Sequence, residues 1–445
     1  MNQDLLSAYA QEVEEKYRKM TPKSKRMLDK AKEYVAGGTR SVVSWYKPYP
    51  VWIERGEGCC LFDVDDNKLL DHNNIYSASL LGHCHPKVVA AIQQAAPKLL
   101  STGGQVEILH HWAKILCDRY PSVERIRPCC SGTEAVMYAS RAARAYTSRN
   151  KIMKEGGSYH GTIDEQEVNM ATSQKGIPEH AKADILNVDF NDREETEKVV
   201  RENKDDLAGI LVNGILVTRE NQNLKFLREL ADRYNTLLIV DEVMSFRYAM
   251  GGAQEYFGVT GDISAFGKFI GGGGLGVGAF GGREDIMRLF SPLDQEEPVH
   301  SAGTFAGNPV TMAAGIAALN EMTPELIDRL NALGDLLRVG VRNAFAEMEI
   351  KGFAGGESSL VMTRIGKLVV DTRRAPAPPL HREIMRIFGL SLLNKKMFTP
   401  ASGAMWALSA PMAEREIEQT VTAITETLAE MKPVIREVVP ELMVS

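Results

Sequence analysis

One lysine stands out in the sequence because its neighbours carry no charge. Residues 264–282 read SAFGKFIGGGGLGVGAFGG, and Lys268 is their one charged side chain. The apolar residues on both sides predict that this lysine is buried. Burial disfavours the ammonium form and lowers the pKa of a lysine. A neutral amine is a nucleophile, so Lys268 could form a Schiff base with an aldehyde.

The same stretch also contains a G-x-G-x-x-G pattern, Gly276 to Gly281, which occurs in dinucleotide-binding sites. Such a site needs a strand before the glycines, a helix that begins within them and an acidic residue about 20 residues later. Here more glycines come first, residues 277–280 resemble a strand, and a helix is predicted only near Arg283. The pattern therefore favours lysine chemistry, and a nicotinamide dehydrogenase remains as the alternative from another class.

Pyridoxal 5'-phosphate is the cofactor whose aldehyde joins a lysine in this way. It also needs a phosphate site, an acid for its pyridine nitrogen and a cover for its ring. Ser131-Gly132-Thr133 follows a predicted strand and begins a helix, where hydroxyls and free backbone N–H groups can hold a phosphate. The alternative interpretation is an ordinary helix N-cap before Glu134.

Three other residues could serve the same cofactor. Asp241 directly follows an apolar strand, and a buried carboxylate there needs a cation such as a protonated pyridine nitrogen. Tyr159 lies in a loop after a strand and could stack on the ring. Thr304 precedes a helix that Asn308 can begin. Taken singly, each also fits a structural role: a strand-end acid, a loop aromatic packed on the sheet and a turn hydroxyl.

The elements that must position these residues follow an α/β pattern. Residues 207–212 and 237–240 are short apolar runs typical of buried strands, and a helical pattern lies between them. This β-α-β unit implies parallel strands. Strands at 125–128 and 151–154 flank a predicted helix at 133–147. Ligands of such a sheet gather at the carboxyl ends of its strands.

Composition narrows the classes of function. The 445 residues are 44% hydrophobic and 25% charged, enough for one large domain and a smaller one. A net charge of −6 argues against a nucleic-acid partner, and no apolar run is long enough to span a membrane. The six cysteines follow no disulfide framework, which indicates reduced thiols and a cytoplasmic location. His83-Cys84-His85 lacks a second ligand group, so we expect no metal site.

Five motifs, in this order and at these separations, resemble class III aminotransferases of fold type I. They are CCSGTEA at 129–135, SYHG at 158–161, IVDEVMSFR at 239–247, AFGKFIGGG at 265–273 and GTFAGNP at 303–309. The likeness is strongest to glutamate-1-semialdehyde aminomutases and β-phenylalanine aminotransferases. It implies an α/β fold: a large cofactor-binding domain over 76–325, with a mixed, mostly parallel sheet flanked by helices. A small α+β domain would come from 1–75 and 326–445.

The resemblance also implies roles for single residues. Lys268 would carry the cofactor and move protons, and Asp241 would keep the pyridine nitrogen protonated. Thr304 would reach the phosphate of the neighbouring subunit, which implies a homodimer with shared active sites. The full set of cofactor-binding residues that the resemblance implies is Ser131, Gly132, Thr133, Tyr159, His160, Asp241, Val243, Lys268 and Thr304.

A segment near the N-terminus bears on the substrate. Residues 37–50, GGTRSVVSWYKPYP, resemble β-phenylalanine aminotransferases, in which an arginine at the place of Arg40 holds a substrate carboxylate. Arginine suits such a two-pronged contact. The alternative is a surface arginine after a Gly-Gly helix end.

The chain also departs from the family pattern. Cys130 replaces the usual Asn of the phosphate motif, and Asn213 stands where Glu is usual. Residues 399–403 lack the arginine that many relatives keep for an acceptor carboxylate, and Thr218 stands at the place of a gating Glu. We therefore expect transamination of an amine or β-amino acid, aromatic ones included, with a pyruvate-like acceptor rather than 2-oxoglutarate. A 1,2-aminomutase or a racemase, and a non-catalytic relative, remain alternatives.

Overall fold

The computed structural model describes residues 2–168, 173–366, 378–400 and 403–444, and its contacts divide the chain into two units. One unit contains the residues up to His85 and the described residues from Asp328 onward. The other contains Pro86–Ile327. These divisions fall ten and two residues beyond the expected domain boundaries after residues 75 and 325. The assignment of domains remains a prediction.

The two units contain fourteen strands and sixteen helices among the described residues. The strands are β1 (Ile53–Glu57), β2 (Cys60–Asp63), β3 (Lys68–Asp71), β4 (Arg125–Cys129), β5 (Lys151–Glu155), β6 (Ile185–Val188), β7 (Leu207–Asn213), β8 (Leu237–Asp241), β9 (Ile263–Gly267), β10 (Gly278–Gly282), β11 (Gly352–Gly355), β12 (Leu360–Ile365), β13 (Met397–Phe398) and β14 (Met405–Ala407). The helices are α1 (Asn2–Met20), α2 (Pro22–Ala31), α3 (Asn74–Ser77), α4 (Pro86–Ala95), α5 (Glu107–Arg119), α6 (Gly132–Thr147), α7 (Asp164–Glu167), α8 (Glu179–Ala183), α9 (Arg193–Asn203), α10 (Asn223–Arg233), α11 (Gly252–Phe257), α12 (Glu284–Met287), α13 (Pro309–Glu321), α14 (Pro324–Glu347), α15 (Pro379–Asn394) and α16 (Glu414–Val438).

The Pro86–Ile327 unit is built on a seven-stranded sheet in the order β4-β10-β9-β8-β7-β5-β6. Strands β6, β5, β7, β8 and β9 are parallel, and β10 runs antiparallel to both β9 and β4. Asp241 lies opposite Asn213 on one side and Ala265 on the other. The carboxyl ends of β4, β5, β7, β8 and β9 therefore meet at one edge of the sheet, and the predicted mixed, mostly parallel sheet is confirmed.

Burial explains why these segments form the centre of the sheet. Every residue of β7 and β8 is buried, as expected for strands covered on both faces. On one face, α6 packs closely because its buried side is made mostly of alanine. On the other face, α10 contributes leucines at helical spacing. The predicted strands and helices of this region are thus present within a few residues of their expected bounds.

The other unit combines two small sheets with long helices. A four-stranded sheet has the order β1-β2-β3-β13, and a three-stranded sheet has the order β11-β12-β14. Helices α1, α15 and α16 pack against one another. A stiff loop expected at 373–379 lies mostly outside the described residues. Within the described residues, no helix is both long and apolar enough to cross a membrane.

Candidate active site

A cavity of about 150 Å³ opens at the carboxyl edge of the seven-stranded sheet. It lies within the Pro86–Ile327 unit and receives residues from the ends of β7, β8 and β9 and from the start of α6. Its lining residues are Gly132, Thr133, Tyr159, His160, Gly161, Asn213, Asp241, Val243, Met244 and Lys268. The sequence-predicted residues of four separate segments thus meet around one space.

Lys268 is the first residue after β9 and begins a short 3₁₀ turn, Lys268–Gly271. Its backbone is left-handed, with φ of 56°, which is uncommon for a residue other than glycine. The side chain is mostly enclosed by protein and partly exposed to the cavity. Burial lowers the pKa of Lys268 to about 8, while the Asp241 carboxylate opposes that shift and Arg247 adds to it. A substantial fraction of this amine is therefore neutral near pH 8.

Asp241 ends β8 and is held by two hydrogen bonds. Its Oδ1 accepts from the Val243 backbone N–H at 3.0 Å, and its Oδ2 lies 2.8 Å from His160 Nδ1. Burial lowers the pKa of His160, so the imidazole is neutral. A carboxylate only accepts hydrogen bonds, so Nδ1 carries the proton. His160 Nε2 is then a buried acceptor with no partner among the described residues.

The start of α6 forms a tight backbone corner beside the cavity. Ser131 Oγ accepts from the Glu134 N–H at 3.2 Å, and the Glu134 carboxylate accepts from the Cys130 N–H at 2.8 Å. This is the expected N-cap, and it leaves the Ser131 hydroxyl proton available. A Cβ on Gly132 would lie 3.1 Å from the side chain of Val243, so the backbone there approaches closely. Backbone N–H groups at a helix start attract anions.

Tyr159 and Asn213 both line the cavity and are joined by a hydrogen bond. Asn213 Nδ2 donates to the Tyr159 carbonyl at 2.9 Å, and Asn213 Oδ1 accepts from the Ile215 N–H at 3.2 Å. The Tyr159 side chain is about half exposed, and burial raises the pKa of its phenol. Asn213 thus fixes the backbone of the residue that the sequence predicts to cover a ring.

Three predicted residues do not line the cavity, and one of them, Ser131, caps α6 directly before the lining residue Gly132. Thr304 is exposed, belongs to a loop of the same unit and does not line the cavity. Arg40 is exposed in the other unit, between 3₁₀ turns at Ala36–Gly38 and Val42–Ser44. Their expected roles, one toward a neighbouring subunit and one toward a substrate, remain predictions.

Asn213, Gly161 and Met244 line the cavity although the sequence analysis assigned them no role there. For Asn213 a signal existed, because it ends a buried strand next to the strand of Asp241. For Gly161, the reason is steric: a Cβ there would lie 2.7 Å from the Thr133 backbone. Met244 follows Val243 in the turn after β8, and nothing in the sequence marked its side chain as facing the site.

The seven-stranded sheet with helices on both faces and a buried lysine at its carboxyl edge defines an α/β enzyme fold. The family model for Aminotransferase class-III matches residues 41–352. The chain belongs to this family. The fold type I resemblance drawn from the five motifs is thereby confirmed at the level of family and fold.

The most similar relatives divide between two activities. The chain is 36% identical to glutamate-1-semialdehyde 2,1-aminomutase 2 of Brevibacillus brevis, over 90% of this chain and 97% of that one. Among solved structures, an omega-transaminase from Sphaerobacter thermophilus matches with a TM-score of 0.86 and 33% identity, over 91% of this chain and 97% of that one. A β-phenylalanine aminotransferase from Variovorax paradoxus matches with a TM-score of 0.86 and 28% identity, over 96% and 98%.

Proposed function

We propose that this protein is a pyridoxal phosphate-dependent aminotransferase that moves an amino group from an amine or β-amino acid to an oxo acid. The observation that carries the proposal is the meeting of Lys268 and Asp241 at one cavity. The two side chains come from the ends of neighbouring strands, β9 and β8. The amine is partly neutral near pH 8, and the carboxylate is aimed into the same space.

The chemistry of the cavity fits this cofactor group by group. The start of α6, with Ser131, Gly132 and Thr133, offers hydroxyl and backbone donors for the phosphate. Asp241 would pair with the pyridine nitrogen, with His160 holding its other oxygen. Tyr159 and Val243 would cover the ring. The unpartnered His160 Nε2 is a buried polar atom that a bound polar group or water can satisfy. When bound, pyridoxal phosphate supplies an aldehyde for amines and a cationic ring that accepts electrons from an adjacent C–H bond.

The protein side chains then divide the remaining work. Lys268 Nζ, once free and neutral, accepts the proton from the carbon that bears the amino group and can return it to a neighbouring carbon. Asp241 would hold positive charge at the pyridine nitrogen of the bound cofactor, which would favour loss of that proton. Tyr159 and the walls of the cavity exclude water from one side. A base with a pKa near the working pH transfers protons in both directions efficiently.

The acceptor is proposed to be a monocarboxylate such as pyruvate. Asn213 carries no charge and is committed to the Tyr159 carbonyl and the Ile215 N–H. Thr218 stands at the place of the gating acid, and residues 399–403 contain no arginine. No cation is therefore supplied from those positions for a second carboxylate. We assign Arg40, exposed on its segment, to the carboxylate of the donor.

We also propose a cytoplasmic homodimer. The exposed position of Thr304 leaves its hydroxyl available to a second copy of the chain. All six cysteines are free thiols, as expected in a reducing compartment.

A half-reaction screen tests the proposal. The holoenzyme is mixed with single amines, aromatic and aliphatic β-amino acids, and the loss of the cofactor's aldehyde absorption is recorded. Pyruvate or 2-oxoglutarate is then added, and recovery of the absorption is measured. We expect recovery with pyruvate to be the faster. Absence of any conversion with every donor would leave a cofactor-binding protein without transaminase activity and would overturn the proposal.

A 1,2-aminomutase or a racemase is the second candidate, and the curated aminomutases among the relatives favour it. Such an enzyme would use Lys268 and Asp241 in the same way but would need no external oxo acid. Incubation with one amino compound and no acceptor separates the two. A product that accumulates beyond one equivalent of enzyme without acceptor identifies a mutase or racemase.

A further inference from the structure

The turn that carries Lys268 is fastened to a tryptophan far away in the sequence. Trp112 on α5 donates its indole Nε1–H to the carbonyl of Ile270, with a distance of 2.7 Å. The side chain of Trp112 has no exposed surface, and Ile270 is buried. Ile270 lies two residues after Lys268, within the same 3₁₀ turn.

The backbone of Lys268 needs such a restraint. A left-handed conformation costs a residue with a Cβ about 1 kcal/mol or more. Strained residues persist only where the surroundings fix them, and they concentrate at functional sites. The φ of Lys268 is 56°, so its side-chain direction depends on how firmly the turn is held.

Helix α13 packs closely against the other side of the turn. A Cβ added to Gly315 would lie 2.1 Å from the Ile270 carbonyl oxygen and 2.9 Å from Trp112 Nε1. The turn, the indole and the helix therefore meet at one point. Next to it, the ring of Phe269 stacks on Phe246 with centroids 5.0 Å apart and planes within 5°. Trp112, Gly315 and Phe246 thus pack against the turn from three sides.

We propose that Trp112 is a positioning residue for Lys268: its N–H fixes the Ile270 carbonyl and so aims the lysine amine into the cavity. The inference rests on the proposed function, because it gives Lys268 a task that depends on direction. The charged groups that act on the amine are Asp241 and Arg247, and both lie on or after β8 rather than on the turn. A loosened turn would let water reach the amine, which weakens the desolvation that lowers its pKa, and it would also change the distances from Lys268 to these groups.

A pure packing role for Trp112 makes a different prediction, and the chain offers a matched control. Trp406 is equally buried, and its Nε1 donates to Thr363 Oγ1 at 2.8 Å in the other unit. Trp112→Phe and Trp406→Phe each remove one buried indole hydrogen bond, the first to the Ile270 carbonyl and the second to the Thr363 hydroxyl. Both should lower stability by a similar amount. Only Trp112→Phe should change the acylation midpoint of Lys268.

The test has two readouts. In the protein without cofactor, lysine acylation is followed against pH by peptide mass spectrometry. We expect the midpoint for Lys268 to rise toward that of a solvated lysine in Trp112→Phe and to stay near 8 in wild type and in Trp406→Phe. In the holoenzyme, kcat should fall roughly 10- to 100-fold in Trp112→Phe, with a small change in KM.

If Trp112→Phe and Trp406→Phe show the same Lys268 midpoint and the same kcat, the inference is wrong and Trp112 only fills space. If Trp112→Phe does not fold, β-(3-benzothienyl)alanine at position 112 removes the N–H and keeps the shape. The Lys268 midpoint and kcat of that variant then test the inference in the same way. Failure of the proposed function is separate, because wild-type protein would then carry no cofactor on Lys268 even though its acylation midpoint could still be measured.

Discussion

Two lysines that are largely enclosed by protein lie at the same edge of the sheet, Lys154 near the end of β5 and Lys268 just after β9. Burial lowers the pKa of Lys154 to about 8 and that of Lys268 to about 8. Measured by acidity alone, the two amines are alike. They differ in their access to the cavity and in the conformation of their backbone.

Lys154 is completely enclosed and lies on regular strand backbone. Its Nζ contacts the Ser158 carbonyl at 3.4 Å, and it does not line the cavity. Lys268 lies on a strained turn, faces the cavity and has the Asp241 carboxylate nearby. The comparison teaches that burial sets the acidity of an amine, whereas access and a directed backbone decide whether it can react.

The largest expected effect separates the two lysines directly. Lys268→Ala should lower turnover by about 10⁴-fold or more, because both the covalent attachment and the proton transfer are lost. Lys154→Met keeps the length and removes the charge and the contact with the Ser158 carbonyl, so turnover should stay within about tenfold of wild type. Steady-state rates with the best donor measure both. Equal loss in the two variants would show that the lysines are not distinct in function.

The acid that faces Lys268 should matter next. Asp241→Asn keeps the shape but removes the negative charge that we propose to pair with the ring nitrogen, and we expect kcat to fall about 10³-fold. His160→Phe removes only the hydrogen bond to Asp241 Oδ2 and should cost about tenfold. A kcat for Asp241→Asn close to that of wild type would contradict the assignment of Asp241.

The pH dependence of acylation should also distinguish the two amines. Lys268 loses its proton as the pH rises, so its labelling in the cofactor-free protein should increase about tenfold per unit and level off above about 8. Lys154 has the same lowered pKa but no access, so it should be labelled only when the protein opens. Labelling of Lys154 at a rate close to that of Lys268 would break the comparison.

The smallest effect concerns stability. Burial lowers the pKa of Lys154 to about 8 in the folded protein. Between that pH and the ordinary pKa of a lysine, Lys154 therefore binds fewer protons in the folded state than in the unfolded state. The free energy of unfolding therefore rises with pH across that range. At lower pH the lysine is charged in both states, and the full cost of burying that charge destabilises the folded protein. Lys154→Met should stabilise the protein by about 2 kcal/mol at pH 7 and weaken this pH dependence. Urea titrations at pH 7 and pH 9.5 measure both, and destabilisation at pH 7 would contradict it.

Local sequence was sufficient for much of the fold and for finding several of the residues that line the cavity, whose roles remain predictions. Lys268 and Asp241 each adjoin a fully buried strand, and the strand pattern alone brings their ends to one edge. The start of α6, to which we assign the phosphate, was visible in the sequence as a strand, a Ser-Gly-Thr and a helix.

The supporting contacts could not be predicted in this way. Asn213 reaches the Tyr159 carbonyl across 54 residues, and Trp112 reaches Ile270 across 158. The neighbours of Trp112 indicate only an amphipathic helix, and its N–H acquires a role only when α5, α13 and the turn are packed together. Likewise, no local pattern shows whether Arg40 meets a substrate, because that depends on groups from elsewhere in the fold.

One measurement tests the central claim most directly. The protein is incubated with pyridoxal 5'-phosphate, reduced with borohydride and digested, and the modified lysine is identified by mass spectrometry. The account predicts a phosphopyridoxyl group on Lys268 and an unmodified Lys154. A label on Lys154 or on any other lysine in place of Lys268, or no label at all, would contradict it.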